Sequence, residues 1–283
     1  MSDVSKLPTA DLIVNEWLTN PPQLLFLVDE TRRTLYGHGN EIVIFTCVAV
    51  DTHTAYSVLE RGARIRRDLG VQESLKSGNL LRQEANPRYQ PLLNLWADAI
   101  RLATDVRFLT TSGENQKKQS RLTKTRIKAV SVDRSRSAII EGPELQAVIH
   151  LLLFAAHATG LRDSQVDAIV DRSDSNGLCN RKRRLPPGTM EVLGPDRFTR
   201  HLADGRSEPA SQVRFRLIAD SDQGPFRDLL MIPDLCGHLV TKALDVSQII
   251  KRLSGEGYFF LPLTLTAVQR AFGNRDPGVV STL

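Results

Sequence analysis

Three apolar runs in this 283-residue chain end in carboxylates: LLFLV leads into Asp29 and Glu30, DAIV into Asp171, and RLIA into Asp220. A fourth acid, Asp234, interrupts the otherwise apolar stretch LLMIPDLCGHLV. One acid at a strand end is more often a turn former, because Asp hydrogen-bonds its neighbouring backbone there. Several acids gathered at one edge of a sheet are a different matter, since carboxylates side by side repel one another unless a cation sits among them. Carboxylate oxygens with no His or Cys cluster nearby suit a hard ion, Mg2+ or Mn2+. Two such ions can activate a water and stabilise the leaving oxygen in phosphodiester cleavage. On this reading Asp29, Asp171 and Asp234 are metal ligands and Glu30 or Glu73 is an additional ligand or a base that orients water. The competing role for Asp234 is a cap at a helix start beside Pro233, and for His238, one helical turn later, a packed core histidine.

The elements that must position these acids are legible in the apolar patterning. Leu24 to Val28 and the β-branched EIVIFTCVAV, Glu41 to Val50, read as strands with two buried faces, joined as a hairpin through Gly37, Gly39 and Asn40. A helix is predicted from Ala55 to Leu69 and a second from Pro91 to Leu102, where the proline suits a first turn. VRFLTT and RIKAVSVD read as a hairpin around the basic GENQKKQSRLTKT. A helix from Gly142 to Thr159 is closed by Gly160, and QVDAIVD follows as a strand. The Pro, Gly and Arg-rich stretch from Asn180 to Ser211 reads as a surface excursion with little regular structure. VRFRLIADSD is a strand with Val213, Phe215 and Leu217 alternating against Arg214, Arg216 and Ile218, and the segment after it closes the core as a helix.

The order FLVDET, ESLKSGN, IVDRSDSNG and LIADSDQGPFRDLLMIPDLCGHLV resembles an uncharacterised bacterial and phage family, a domain of unknown function with a ribonuclease H-like fold. Its members show a strand ending in Asp-Glu-Ser-Gly, a Glu-Leu-Lys element, an Asp-Arg strand end and a late Leu-Gln-Leu-Ala-Asp helix. The resemblance spans about residues 24 to 245 in motif order. It implies an α/β fold with a ribonuclease H-like mixed central sheet flanked by helices and carrying a basic hairpin insertion. It also places an acidic site on Asp29, Glu30, Asp171 and Asp234, with Glu73 and Lys76 as additions and Asp220 and Ser221 alongside. Thr31 and Arg32 stand where Ser and Gly are usual, and Met231 and Pro233 replace Gln and Ala. The expected organisation is an N-terminal extension over 1–23, one domain over 24–253 with insertions around 112–125 and 180–211, and a tail over 254–283.

A net charge of +5 from 37 basic and 32 acidic residues is modest, but it is concentrated in RGARIRRDLG, KKQSRLTKTRIK and NRKRRLPPG. Arg64, Arg67, Lys117, Lys118, Arg181, Lys182 and Arg183 are therefore candidates for holding a nucleic acid, DNA or RNA, through its phosphates. Aromatics make up 6% of the chain, too few to provide stacking platforms, so backbone recognition is favoured over base readout. Three dispersed cysteines without a CxxC pair point to a reducing, cytoplasmic setting, and the absence of a long apolar run argues against membrane insertion. Two functions follow as expectations. One is metal-dependent hydrolysis of nucleic acid in a mobile-element or phage-defence context. The other is an inactive module of the same fold that binds nucleic acid or a partner protein within a multi-subunit system.

Overall fold

The computed structural model describes residues 9–34, 41–72, 74–77, 80, 87–112, 128–130, 143–162, 164–171, 191–201, 207–209, 212–243, 258–262 and 264–274. Strand β1, Leu25–Thr34, pairs antiparallel with β2, Glu41–Val50, from Leu25 opposite Val50 to Thr34 opposite Glu41. This is the expected hairpin. Strand β3, Asp105–Ser112, continues the meander beside β2. On its other side β1 is parallel to β5, Gln165–Asp171, which is in turn parallel to β8, Arg214–Asp220. Strand β1 is thus central in a mixed sheet.

The remaining strands extend both edges. They are β4, Lys128–Val130; β6, Glu191–His201; β7, Ser207–Pro209; and β9, Tyr258–Phe260. The order is β4-β6-β8-β5-β1-β2-β3-β9, with β7 on β6. Two expectations fail here. Lys128–Val130 does not return along β3 as a hairpin; it pairs with β6 at the far edge, while β3 is flanked by β2 and β9. The stretch expected to be an irregular excursion contains β6 and β7, because β8 offers an edge on which β6 can pair.

Period-2 alternation along β1 sends Leu25 and Leu27 to one face and Phe26 and Val28 to the other, and each face has its own core. The first face is covered by α1, Ala10–Thr19; α2, Thr52–Leu69; α3, Gln90–Leu102; α5, Arg227–Ala243; and α6, Leu265–Asn274. The second is covered by α4, Pro143–Ala158. Helix α2 starts where Asp51 Oδ1 accepts from Thr54 N at 2.6 Å and stops at Gly70, whose φ of 61° and ψ of 33° are the left-handed values that glycine adopts without strain. The alternation read into β8 holds only for its first half, since Ile218 and Ala219 are both buried between helices and sheet.

The segments outside 24–253 join the same core. Ile13 and Trp17 of α1 are at most 2% exposed, and Val268 of α6 is buried with them. Trp17 Nε1 donates to Asp167 Oδ2 at 2.6 Å, Arg216 Nε donates to Asp167 Oδ1 at 2.7 Å, and Arg216 Nη1 reaches Glu16 Oε2 at 2.7 Å. Asp167 is 2% exposed, so this network satisfies a carboxylate that would otherwise be costly to bury and ties α1 to β5 and β8. No described helix is long and apolar enough to cross a membrane.

Candidate functional site

Because β1, β5 and β8 are parallel, their C-terminal ends share one edge of the sheet. The register pairs Val28 with Val170 and Asp171 with Asp220, which brings Asp29, Asp171 and Asp220 to one level on three adjacent strands. All three are in phase with Leu27, Ile169 and Ile218, and so lie on the face covered by α5. Helix α5 brings the fourth acid. Pro233 sits seven residues into this helix and not at its start, so Asp234 is presented from the helix interior; the cap role does not hold.

The seat of α5 depends on Gly237, three residues after Asp234. A Cβ there would lie 2.3 Å from Thr31 Oγ1 and 2.9 Å from Thr46 Oγ1, and real Cβ atoms do not approach so closely. Thr46 is the partner of Asp29 in the β1–β2 register. Gly237 therefore lets the helix settle on the strands beside Asp29, with Asp234 on the same helical face.

The electrostatics follow from this convergence. Burial, and then the charges of Asp171 and Asp234, push the Asp29 carboxyl well above its ordinary range; the Glu30 N–H on Asp29 Oδ1 at 2.7 Å and the charge of Lys76 only partly offset this. Burial also raises Asp171. Lys76 lowers it, Asp222, Glu30 and Asp234 raise it, and the balance is a value of about 6. Asp29, Asp171 and Asp234 thus repel one another at one edge.

Two strand-end acids behave differently. Glu30 is in phase with Phe26 and Val28, and its Oε1 accepts from Arg32 Nε at 3.1 Å, so it reaches the site by its field more than by position. Asp220, 0% exposed, turns into the following loop, where Oδ2 accepts from Phe226 N at 2.6 Å. A Cβ on Gly224 would stand 1.6 Å from Asp220 Oδ1, so the loop closes over this side chain. Asp220 organises the start of α5.

The acid that this loop contributes is Asp222, which sequence reasoning missed. Its Oδ2 accepts from Ser74 Oγ at 2.5 Å and from Lys76 Nζ at 2.8 Å. Burial tends to raise its pKa, but these hydrogen bonds and the Lys76 charge prevail and hold it below the usual carboxylate value. Ser77 N donates to Asp234 Oδ2 at 3.0 Å, so residues 74–77 cross the acidic edge and bind both of its sides. The Asp-Ser-Asp alternation at 220–222 was the available signal.

Among the proposed phosphate-holding residues, Arg64 and Arg67 are exposed on α2, along with Arg61. Arg66, from the same basic run, is instead buried: it pairs with Asp228 at 2.9 Å, and Gly62 allows the close approach of α2 to α5. That pair fixes the C-terminal end of α2 beside the start of α5, at the acidic edge. Glu73, Lys117, Lys118, Arg181, Lys182 and Arg183 lie outside the described residues. As the side chains stand, no group of three or more His, Cys, Asp or Glu among the described residues is gathered so that it could hold a metal ion. No protein-family model matches this sequence, and no curated protein matches it.

Proposed function

We propose that this protein is a ribonuclease H-like, metal-dependent phosphodiesterase acting on nucleic acid. The observation that carries the reading is the convergence of Asp29, Asp171 and Asp234 from β1, β5 and α5 on one edge, where burial and neighbouring acids resist the ionisation of Asp29 and Asp171. Perturbed carboxylates brought together by different elements are a mark of a functional site. A central β1 in a mixed sheet flanked by helices agrees with the fold that the motif resemblance implies.

The donor set is all oxygen, which suits Mg2+ or Mn2+ with part of its water shell retained. Asp29, Asp171 and Asp234 would hold the ion, which when bound supplies an activated water and charge neutralisation at the phosphate. The exposed Arg64 and Arg67, at the end of α2 held against α5, would neutralise backbone phosphates next to the acids, giving binding that weakens with salt and tolerates many sequences.

The test is cleavage of single- and double-stranded DNA, RNA and RNA/DNA hybrids with Mg2+ or Mn2+. Asp29→Asn and Asp234→Asn should each abolish cutting while leaving binding intact or tighter, since repulsion of phosphate falls. Cutting that survives both substitutions would refute the site. A second reading, a non-catalytic module that binds nucleic acid or a partner protein, is favoured by the Lys76–Asp222 pair, whose ammonium already offsets part of the acidic charge. It is distinguished by salt-sensitive binding without turnover on any substrate.

A further inference from the structure

The segment that crosses the acidic edge carries a cation of its own. Leu75 and Ser77 are 7% and 1% exposed, so residues 74–77 are held down on both sides of Lys76. Ser74 Oγ and Lys76 Nζ both donate to Asp222, and Ser77 N to Asp234. The Lys76 side chain itself is 60% exposed, with its ammonium at the rim. From there its charge opposes the upward pKa shifts of Asp29 and Asp171.

We propose that Lys76 is the built-in counter-ion of the acidic edge, moored on Asp222, and that it sets how strongly a divalent cation is held there. The second half rests on the metal-dependent reading above; the first does not. The physical reason is that a fixed positive charge and an incoming cation draw on the same carboxylates. With the ammonium in place the folded protein bears less repulsion when no metal is present, and the edge holds a divalent ion more weakly than its carboxylates alone would. A substrate phosphate would restore the missing negative charge, so uptake of metal and nucleic acid would reinforce each other.

The experiment measures thermal unfolding of the full chain in EDTA and across a Mn2+ titration, for the wild type, Lys76→Gln, Lys76→Arg, Asp171→Asn and the double variant Lys76→Gln with Asp171→Asn. In EDTA, Lys76→Gln should lower the unfolding temperature, and at least about half of that drop should vanish in the Asp171→Asn background, because neighbouring charges couple. In the titration, the Mn2+ concentration at which stabilisation sets in should fall by roughly 3- to 30-fold in Lys76→Gln, the order expected for removing one charge near a partly exposed site. Lys76→Arg, which keeps the charge, should follow the wild type in both arms.

A drop in EDTA that Asp171→Asn leaves unchanged would overturn the counter-ion role. A wild type whose stabilisation sets in at the same Mn2+ concentration as that of Lys76→Gln would overturn the control of cation affinity and leave the metal reading standing. A wild type that does not respond to Mn2+ at all would overturn that reading and the second half of the proposal together, while the EDTA arm still decides the first half.

Discussion

Asp171→Asn should stabilise the protein at neutral pH when no divalent cation is present. The folded state pushes this carboxyl up to about 6 from an ordinary 3.8. A group whose folded pKa is raised binds its proton more tightly in the folded than in the unfolded chain, so stability falls as pH rises between these two values, and the deficit is complete above the higher one. At 1.36 kcal/mol per pH unit, a shift of roughly 2 units corresponds to about 3 kcal/mol at pH 7. The field of Lys76 is already included in that balance, and asparagine keeps a buried polar group in place of the carboxyl, so the net gain expected is about 1–3 kcal/mol, or several degrees in a chain of this size. Thermal unfolding in EDTA at pH 5 and pH 7.5 reads it directly. The variant should lead clearly at pH 7.5 and by much less at pH 5, where the wild-type carboxyl is mostly protonated, and Mn2+ should raise the wild type while leaving the variant nearly unmoved. A variant less stable than the wild type at pH 7.5, or a difference independent of pH, would refute the reasoning.

The sign of that effect separates site acids from scaffold acids. Asp167 and Asp228 are buried against Arg216 and Arg66, and Asp220 against a backbone N–H, so each carboxylate has a donor facing it. Asp29 accepts the Glu30 N–H and both Asp29 and Asp171 feel the charge of Lys76, but burial and neighbouring acids outweigh these and keep both carboxyls raised. Carboxylates kept together at a cost to stability are the pattern on which the proposed function rests.

Two further substitutions probe the supports of the site. Asp228→Asn leaves Arg66, 3% exposed, without its carboxylate and should cost about 3–5 kcal/mol in a urea unfolding experiment, the opposite sign to Asp171→Asn. Gly237→Ala sets about 1–3 kcal/mol of overpacking against Thr31 and Thr46 against a helix-propensity gain of about 1 kcal/mol. It should therefore lower stability modestly and Mn2+ response strongly, because Asp234 is displaced, and adding Thr31→Ala should restore part of both; an unchanged Mn2+ response would detach Gly237 from the site.

Much of the sheet was legible because β1 and β2 carry apolar runs buried on both faces, while β5 and β8 end in short buried apolar runs, Ala168 to Val170 and Leu217 to Ala219. Helices α3 and α4 were legible from a different signal: each has a proline in its first turn, where the missing N–H costs no hydrogen bond. Strand β6 was not, because EVLGPDRFTRH contains Gly194 and Pro195, residues that punctuate most strands. The structure places them where the β6–β8 register shifts between Leu193 and Asp196, an irregularity that accommodates both. Strand β4 was paired wrongly because three residues hold no register information, and proximity in sequence favoured β3, whereas the partner chosen lies about 70 residues away in β6.

The acids were legible as a set but not by role, and the reason is geometric. Alternation with period 2 is enough to put Asp29, Asp171 and Asp220 on one face once the strands are known to be parallel, and their strand-end positions then give one edge. What alternation cannot express is the loop that follows. Gly224 brings the backbone over Asp220 and lets Phe226 N claim its carboxylate, and the same turn swings Asp222 outward to Ser74 and Lys76. The two acids of Asp-Ser-Asp thus exchange the parts that their positions imply: the one at the strand end builds the helix start, and the one beyond it faces the site. A turn two residues longer or without its glycine would leave Asp220 beside Asp171, adding a further repelling carboxylate with no backbone donor to hold it. The closure at Gly224 is therefore what assigns Asp220 to the helix start and leaves Asp222 to pair with Lys76 at the edge.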